Sequence, residues 1–123
     1  MINNFLIISC IGNNDKLALR INKDFFIHKV ERKKNEDRQL ILEIKRFLDN
    51  NDVKLDQNFT VIVNLGPGSF SGIRISIAVA KGLVISNNVQ LFGYNNGDLK
   101  LFDQENIEKL INQNLIEKKL IQP

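Results

Sequence analysis

Residues able to carry chemistry are few in this chain, and the densest group is Gly66-Pro67-Gly68-Ser69-Phe70-Ser71-Gly72. A glycine-rich loop between a buried strand and a helix exposes backbone N–H groups, which can cradle an anion. Neither standard phosphate signature is met. A Walker A loop places Lys directly after its last glycine, where this chain has Ile73, and the dinucleotide pattern needs a glycine where Ser71 stands. On its own, the segment reads as a structural turn ahead of a phosphate site. Nucleophilic catalysis by Cys10 or Ser69 has no evident base, because His28 is the only histidine and falls in an expected strand away from the loop. A zinc site of the metalloprotease kind needs several His or carboxylate ligands in fixed geometry. His28 therefore reads as a partly exposed packing residue and Cys10 as a buried, inert thiol.

The elements that must position the loop are legible from the hydrophobic pattern. Upstream, Thr60 to Asn64 is a β-branched run of the kind found in central parallel strands. Downstream, Ile73, Ile75, Ile77 and Val79 alternate with Arg74, Ser76, Ala78 and Ala80, so period two alone favours a strand. Extension of the segment to Ile85 and the strand-loop-segment layout favour a crossover helix. As a helix it is apolar almost all round and must be covered on more than one side.

Phe5 to Ser9 suits a buried strand, Leu17 to Ile21 and Phe25 to Val30 complete an antiparallel meander, and Val89 to Tyr94 gives another strand. Between meander and Thr60, the spacing of Leu40, Ile41, Ile44, Phe47 and Leu48 predicts a helix over 35–48, with Asn35 as N-cap and Glu36 and Asp37 favoured by the macrodipole. Asn96-Gly97 fits either a hairpin or an ordinary loop. Asp103 caps a last amphipathic helix marked by Ile107, Leu110, Ile111 and Leu115, and residues 116–123 have no clear assignment. The order βββαβαβα is an α/β layout of a single actin-like, ribonuclease-H-like lobe: a mixed five-stranded sheet with helices on its faces.

Composition narrows the function classes. At 123 residues with 43% hydrophobic content, one domain with one core is expected, and no internal repeat or linker interrupts it. The net charge of +3 comes from lysines interleaved with Asp and Glu, and Tyr94 is the only Tyr in a chain without Trp. Dedicated nucleic-acid binders concentrate their cations and expose stacking aromatics. One cysteine fits a reducing compartment, so a cytoplasmic location is expected. Ile7-Ile8-Ser9-Cys10 has the look of a lipoprotein box, but Met1 to Asn4 is uncharged and the apolar run that follows is short, so neither a signal peptide nor a membrane span is expected.

Gly66-Pro67-Gly68-Ser69-Phe70-Ser71-Gly72-Ile73-Arg74, followed by Ala80-Lys81-Gly82-Leu83, closely resembles the TsaB signature GPGSFTGLR with its AKGL sequel. The resemblance covers the strands on either side and the order of the preceding elements. It implies an actin-like fold without catalytic activity or cofactor, in a scaffold subunit of the machinery that makes threonylcarbamoyladenosine in tRNA. It also implies two partners: TsaD, the ATP- and metal-using transferase that it holds active, and the ATPase TsaE, with tRNA met indirectly through the complex. The chain departs from the family where relatives end strand one in Asp-Thr-Ser, since it has Ser9-Cys10-Ile11. It also has Asn35-Glu36 about where relatives carry His-Ser, and it lacks most of their second lobe. A minimal or truncated form is expected, with 1–123 as an N-terminal lobe and a C-terminal helical extension.

Small residues Gly72, Ser76, Ala80 and Gly82 permit close approach of another backbone, and Arg74, Ala78 and Lys81 form a stripe that faces outward if the isoleucines face the sheet. A well-covered core helix is the simpler reading in isolation. The resemblance implies instead that the 36–49 and 72–85 helices pair with TsaD, and it marks Arg74, Ile77, Ala78, Lys81, Leu42 and Lys45 as interface candidates. Two alternatives stand beside this: a nucleotide-binding actin-like phosphotransferase that uses the loop for phosphate, and a homodimer that pairs through the same helices.

Overall fold

The computed structural model describes residues 2–12, 14–31 and 37–118. The first apolar run forms β1 (Asn4–Ser9), buried at every position from Phe5 to Ser9 as a strand covered on both faces must be. β2 (Lys16–Ile21) returns antiparallel with Phe5 opposite Arg20, and a turn with Asn22 and Lys23 at positive φ leads into β3 (Asp24–Lys29). α1 (Asp37–Asn50) then crosses over to β4 (Phe59–Asn64), which lies parallel to β1 and is buried throughout. α2 (Phe70–Asn87) crosses to β5 (Gln90–Tyr94), parallel to β4, and α3 (Gln104–Asn112) follows.

Among the described residues the sheet order is β3-β2-β1-β4-β5-β6, where β6 (Glu117–Lys118) adds two residues antiparallel to β5. The mixed five-stranded sheet read from the sequence is therefore present, with this short strand extending one edge. Sequence patterning gave no warning of β6, because two residues are too few to show alternation.

Period two along the strands divides the core between the faces. Leu6, Ile8, Leu17, Leu19, Val61 and Val63 point to the face covered by α1 and α2. Phe5, Ile7, Ala18, Ile62 and Tyr94 meet Ile107, Leu110 and Ile111 of α3 on the other. α3 starts as expected at Asp103, whose side chain accepts from Asn106 N at 2.9 Å; that backbone bond holds its carboxyl below the usual carboxylate range.

Several boundaries differ from the sequence reading. α2 begins at Phe70, so Phe70, Ser71 and Gly72 form its first turn instead of belonging to the loop, and it runs past Ile85 to a left-handed C-cap at Asn88. Residues 96–98 form a 3-10 turn with no hairpin partner, and Leu115 lies beyond the end of α3, 38% exposed. The expected N-cap Asn35 and first-turn Glu36 lie outside the described residues.

Candidate functional site

The glycine segment is fixed from three directions. At its start, the Asn64 side chain, 1% exposed, accepts from Gly66 N at 2.9 Å and donates through Nδ2 to Ser9 Oγ and Asn96 Oδ1, both at 3.1 Å. Gly66 has φ +88°, a region that favours glycine, precedes a cis peptide to Pro67, and its carbonyl accepts from Asn96 N at 2.8 Å. In the middle, Ser69 N donates to the Ile11 carbonyl at 2.7 Å. A Cβ on Gly68 would stand 2.6 Å from Ile11 Cβ and 2.8 Å from Ile11 O, so only glycine lets the segment lie this close to the β1–β2 turn. At its end, Ser69 Oγ accepts from Gly72 N at 3.2 Å and caps α2.

These bonds bear directly on anion binding. The amides of Gly66, Ser69, Gly72 and Ile73 donate within the chain, so part of the loop's backbone is engaged in holding its own shape. Among the described residues, no group of three or more His, Cys, Asp or Glu side chains could hold a metal ion. His28 packs its ring 5.4 Å from Phe47, and its Nε2 donates to Glu43 Oε1 at 3.1 Å, tying β3 to α1. Cys10 is buried.

β1, β4 and β5 bring Ser9, Asn64 and Tyr94 into one cross-strand row at their carboxyl ends, since Ile8 pairs with Val63 and Asn64 with Tyr94. Burial raises the Tyr94 phenol from 10.0 to about 12. Ser9 and Asn64 offset part of that rise, yet the hydroxyl has no hydrogen-bond partner among the described residues. The row anchors the loop.

α2 presents its residues differently from the reading that turned every isoleucine to the sheet. The buried side consists of Gly72, Ser76, Val79, Ala80 and Val84, while Ile73, Ile75 and Ile77 are half-buried and Ile85 is 71% exposed. The small residues Gly72, Ser76 and Ala80 therefore bring α2 close to its own sheet. Gly82 alone of the four faces outward, where a Cβ would meet nothing within 4 Å. Arg74 and Ala78 are exposed and Lys81 half-buried; Ile77 packs against the core. On α1, Leu42 and Lys45 are exposed.

Between the helices runs an open groove of about 630 Å³, whose lining includes Ile41, Lys45, Leu48, Ala78, Gly82 and Leu83. The structure thus brings Lys45 and Ala78 to one groove and leaves Arg74, Ile77, Lys81 and Leu42 outside its lining. Ile41, 49% exposed, and Phe70, 75% exposed with the Arg74 guanidinium 5.5 Å from its ring centre, are further candidates that sequence patterning missed. Ile41 lies in the helical stripe of α1, and the stripe's breadth was the available signal: it is wider than contact with the sheet requires. Among the described residues, no helix is long and apolar enough to cross a membrane.

Residues 30–110 match the family model described as TsaD, tRNA N6-adenosine threonylcarbamoyltransferase. Among curated proteins, the chain is similar to the tRNA threonylcarbamoyladenosine biosynthesis protein TsaB of Buchnera aphidicola subsp. Baizongia pistaciae. Identity there is 37% over 71 residues, covering 58% of this chain and 32% of that protein. The TsaB protein of Buchnera aphidicola subsp. Schizaphis graminum is 38% identical over 61 residues, covering 50% of this chain and 29% of that protein. The match thus spans about a third of the length of these relatives. In structure, the chain is similar to YeaZ from Pseudomonas aeruginosa, with a TM-score of 0.66 at 20% identity over 91% of this chain and 50% of that one. A second solved protein, described as having similarity to peptidase YeaZ from Pseudomonas aeruginosa, gives 0.65 at 24% identity over 79% of this chain and 44% of that one.

Proposed function

This chain belongs to the threonylcarbamoyltransferase family that its residues 30–110 match, as a member of the TsaB type, and from that premise we propose that it is a non-catalytic subunit of tRNA threonylcarbamoyladenosine synthesis that binds TsaD and holds it active. The observation that carries the docking reading is the uncovered side of α2. An almost wholly apolar helix rests one face on the sheet and leaves Ala78, Gly82 and Ile85 exposed beside the groove to α1. Such a helix buried on one side only is incomplete as a core element and complete as half of an interface.

In this reading the glycine loop sets the angle of α2 by its bonds to Ile11, Asn64 and Asn96, and α2 with α1 packs against the partner. Ala78 and Lys45 lie in the contact, with Arg74, Ile77, Lys81 and Leu42 around it. Threonylcarbamoyl transfer takes place wholly on TsaD. TsaE joins the assembly, and tRNA is met through it.

Co-elution of the purified chain with its cognate TsaD, and restoration of threonylcarbamoyl transfer to tRNA on its addition, test the proposal. A lone species that leaves TsaD inactive would overturn it. Ala78→Arg places a long charged side chain in the groove at an exposed position, so it is expected to weaken TsaD retention at least tenfold, an order-of-magnitude figure for charge at a packed contact. The melting temperature of the isolated chain should stay near that of the parent. Retention of TsaD equal to the parent's would sink the interface assignment.

A further inference from the structure

We infer that Asn96 is a self-modification site, where the Gly97 nitrogen closes on the side-chain amide and water opens the resulting succinimide to isoaspartate or aspartate. The change loosens the strut between Asn96 and Gly66 that seats the glycine loop. Asn96-Gly97 is the only Asn-Gly pair in the chain. The fold gives this glycine no conformational or steric purpose: Gly12 and Gly66 hold positive φ and Gly97 does not, and a Cβ on Gly97 would meet nothing within 4 Å. What the missing side chain leaves is an unshielded nitrogen. Gly97 is exposed, and its N–H donates to no group among the described residues.

Asn96 is clamped on one side and loose on the other. Its backbone N donates to the Gly66 carbonyl at 2.8 Å, and its Oδ1 accepts from Asn64 Nδ2 at 3.1 Å. Asn64 is buried and is itself tied to Ser9 and Gly66. Downstream, the 3-10 turn rests on two bonds, Asp98 N to the Asn95 carbonyl at 3.0 Å and Leu99 N to the Asn96 carbonyl at 3.2 Å. Opening that turn rotates the peptide after Asn96 and lets Gly97 N approach Cγ while the side-chain carbonyl stays on Asn64. The Asn64 donor then faces the oxygen on which negative charge gathers. Gly97 N loses its proton and bonds to Cγ, the Cγ–Nδ2 bond breaks, and the amide nitrogen takes up a proton and leaves as ammonia. Water next adds to one imide carbonyl. Addition at Cγ gives aspartate; addition at the backbone carbonyl gives isoaspartate, in which the main chain runs through Cβ and Cγ and the old carbonyl becomes a carboxylate. The bond to Asn64 then ties down main chain where it had held a side chain, so every motion of residues 97–99 reaches Asn64 and, through it, Gly66 N.

The experiment ages the full chain and its Gly97→Ala variant in mildly alkaline buffer and follows each asparagine by peptide mass spectrometry, with enzymatic methylation of isoaspartate to separate the two products. Asn95 and Asn114 serve as internal references, being exposed and followed by Asn and Leu. Asn96 of the parent is expected to convert about tenfold faster than either, and Gly97→Ala to slow it by a similar factor, because a side chain on the attacking residue hinders close approach. The rate should climb with pH, since the nitrogen must shed its proton before it attacks. Thermal melts verify that the variant folds, and the comparison among asparagines of the parent stands without it. Conversion of Asn96 no faster than that of Asn95 and Asn114 would overturn the site. Hydrogen exchange at Gly66 N is expected to be quicker in the aged parent than in the fresh chain. Unchanged protection of Gly66 with most of Asn96 converted would overturn the loosening of the loop.

Discussion

Gly68 and Gly82 show how one residue type serves opposite ends at two positions. At Gly68 a methyl group would collide with the Ile11 carbonyl oxygen and Cβ, neither of which can move without shifting the β1–β2 turn. Gly68→Ala is therefore expected to cost about 1–3 kcal/mol, as overpacking does, measured by urea unfolding. Gly82 faces open space inside a helix, so Gly82→Ala is expected to stabilise by about 0.5–1 kcal/mol in the same assay. The glycine motif was plain in the sequence, but which glycine is indispensable depends on a contact across 57 residues to Ile11. No local pattern carries that information.

Tyr94 makes a second argument at this scale. Its phenol is buried beside Ser9 and Asn64, and its folded value, about 12, lies above the unfolded 10.0. The stability that this difference supports is fully present below pH 10 and is lost as pH climbs through about 12. Tyr94→Phe should flatten that alkaline decline. Because Tyr94 is the only tyrosine, absorbance titration of the parent reads its ionisation alone.

At the scale of elements, strand positions were the most legible, because β1 and β4 are apolar at nearly every residue and could lie nowhere but the middle of the sheet. α2 was harder. Alternating isoleucines imitate a strand, and the faces of a helix made of small and β-branched residues cannot be ranked by polarity; packing decided that Ser76 goes in and Ile85 stays out. α1 depends on a clasp outside its own stripe: His28 bonds Glu43 and stacks on Phe47, Glu31 N donates to the same carboxylate, and Gln39 Nε2 donates to the Glu31 carbonyl. His28→Ala is expected to cost about 1–2 kcal/mol, the sum of a half-exposed polar contact and a ring contact. Amide exchange should quicken most in α1. Uniform loss of protection across the sheet would instead mean that the clasp serves the whole fold.

Seen whole, the molecule is lopsided. α3 covers part of one face of the sheet with Ile107, Leu110 and Ile111, beside a hollow lined by Ile2, Phe92 and Ile116, and the other face ends in two helices with a larger trough between them and Ile41, Leu42 and Ile85 left in water. That asymmetry was only half visible beforehand. Periodicity required α2 to be covered on several sides, but it could not say which side stays exposed.

Cys10 sits 1% exposed at the carboxyl end of the central strand β1, the single sulfhydryl in the chain. A thiol reagent can meet it only in those moments when the domain comes apart, so the speed of labelling counts opening events directly. Any binder that prefers the closed form will slow this clock in proportion to its occupancy. The molecule therefore carries its own gauge of occupancy, readable without a fluorophore or an added tag.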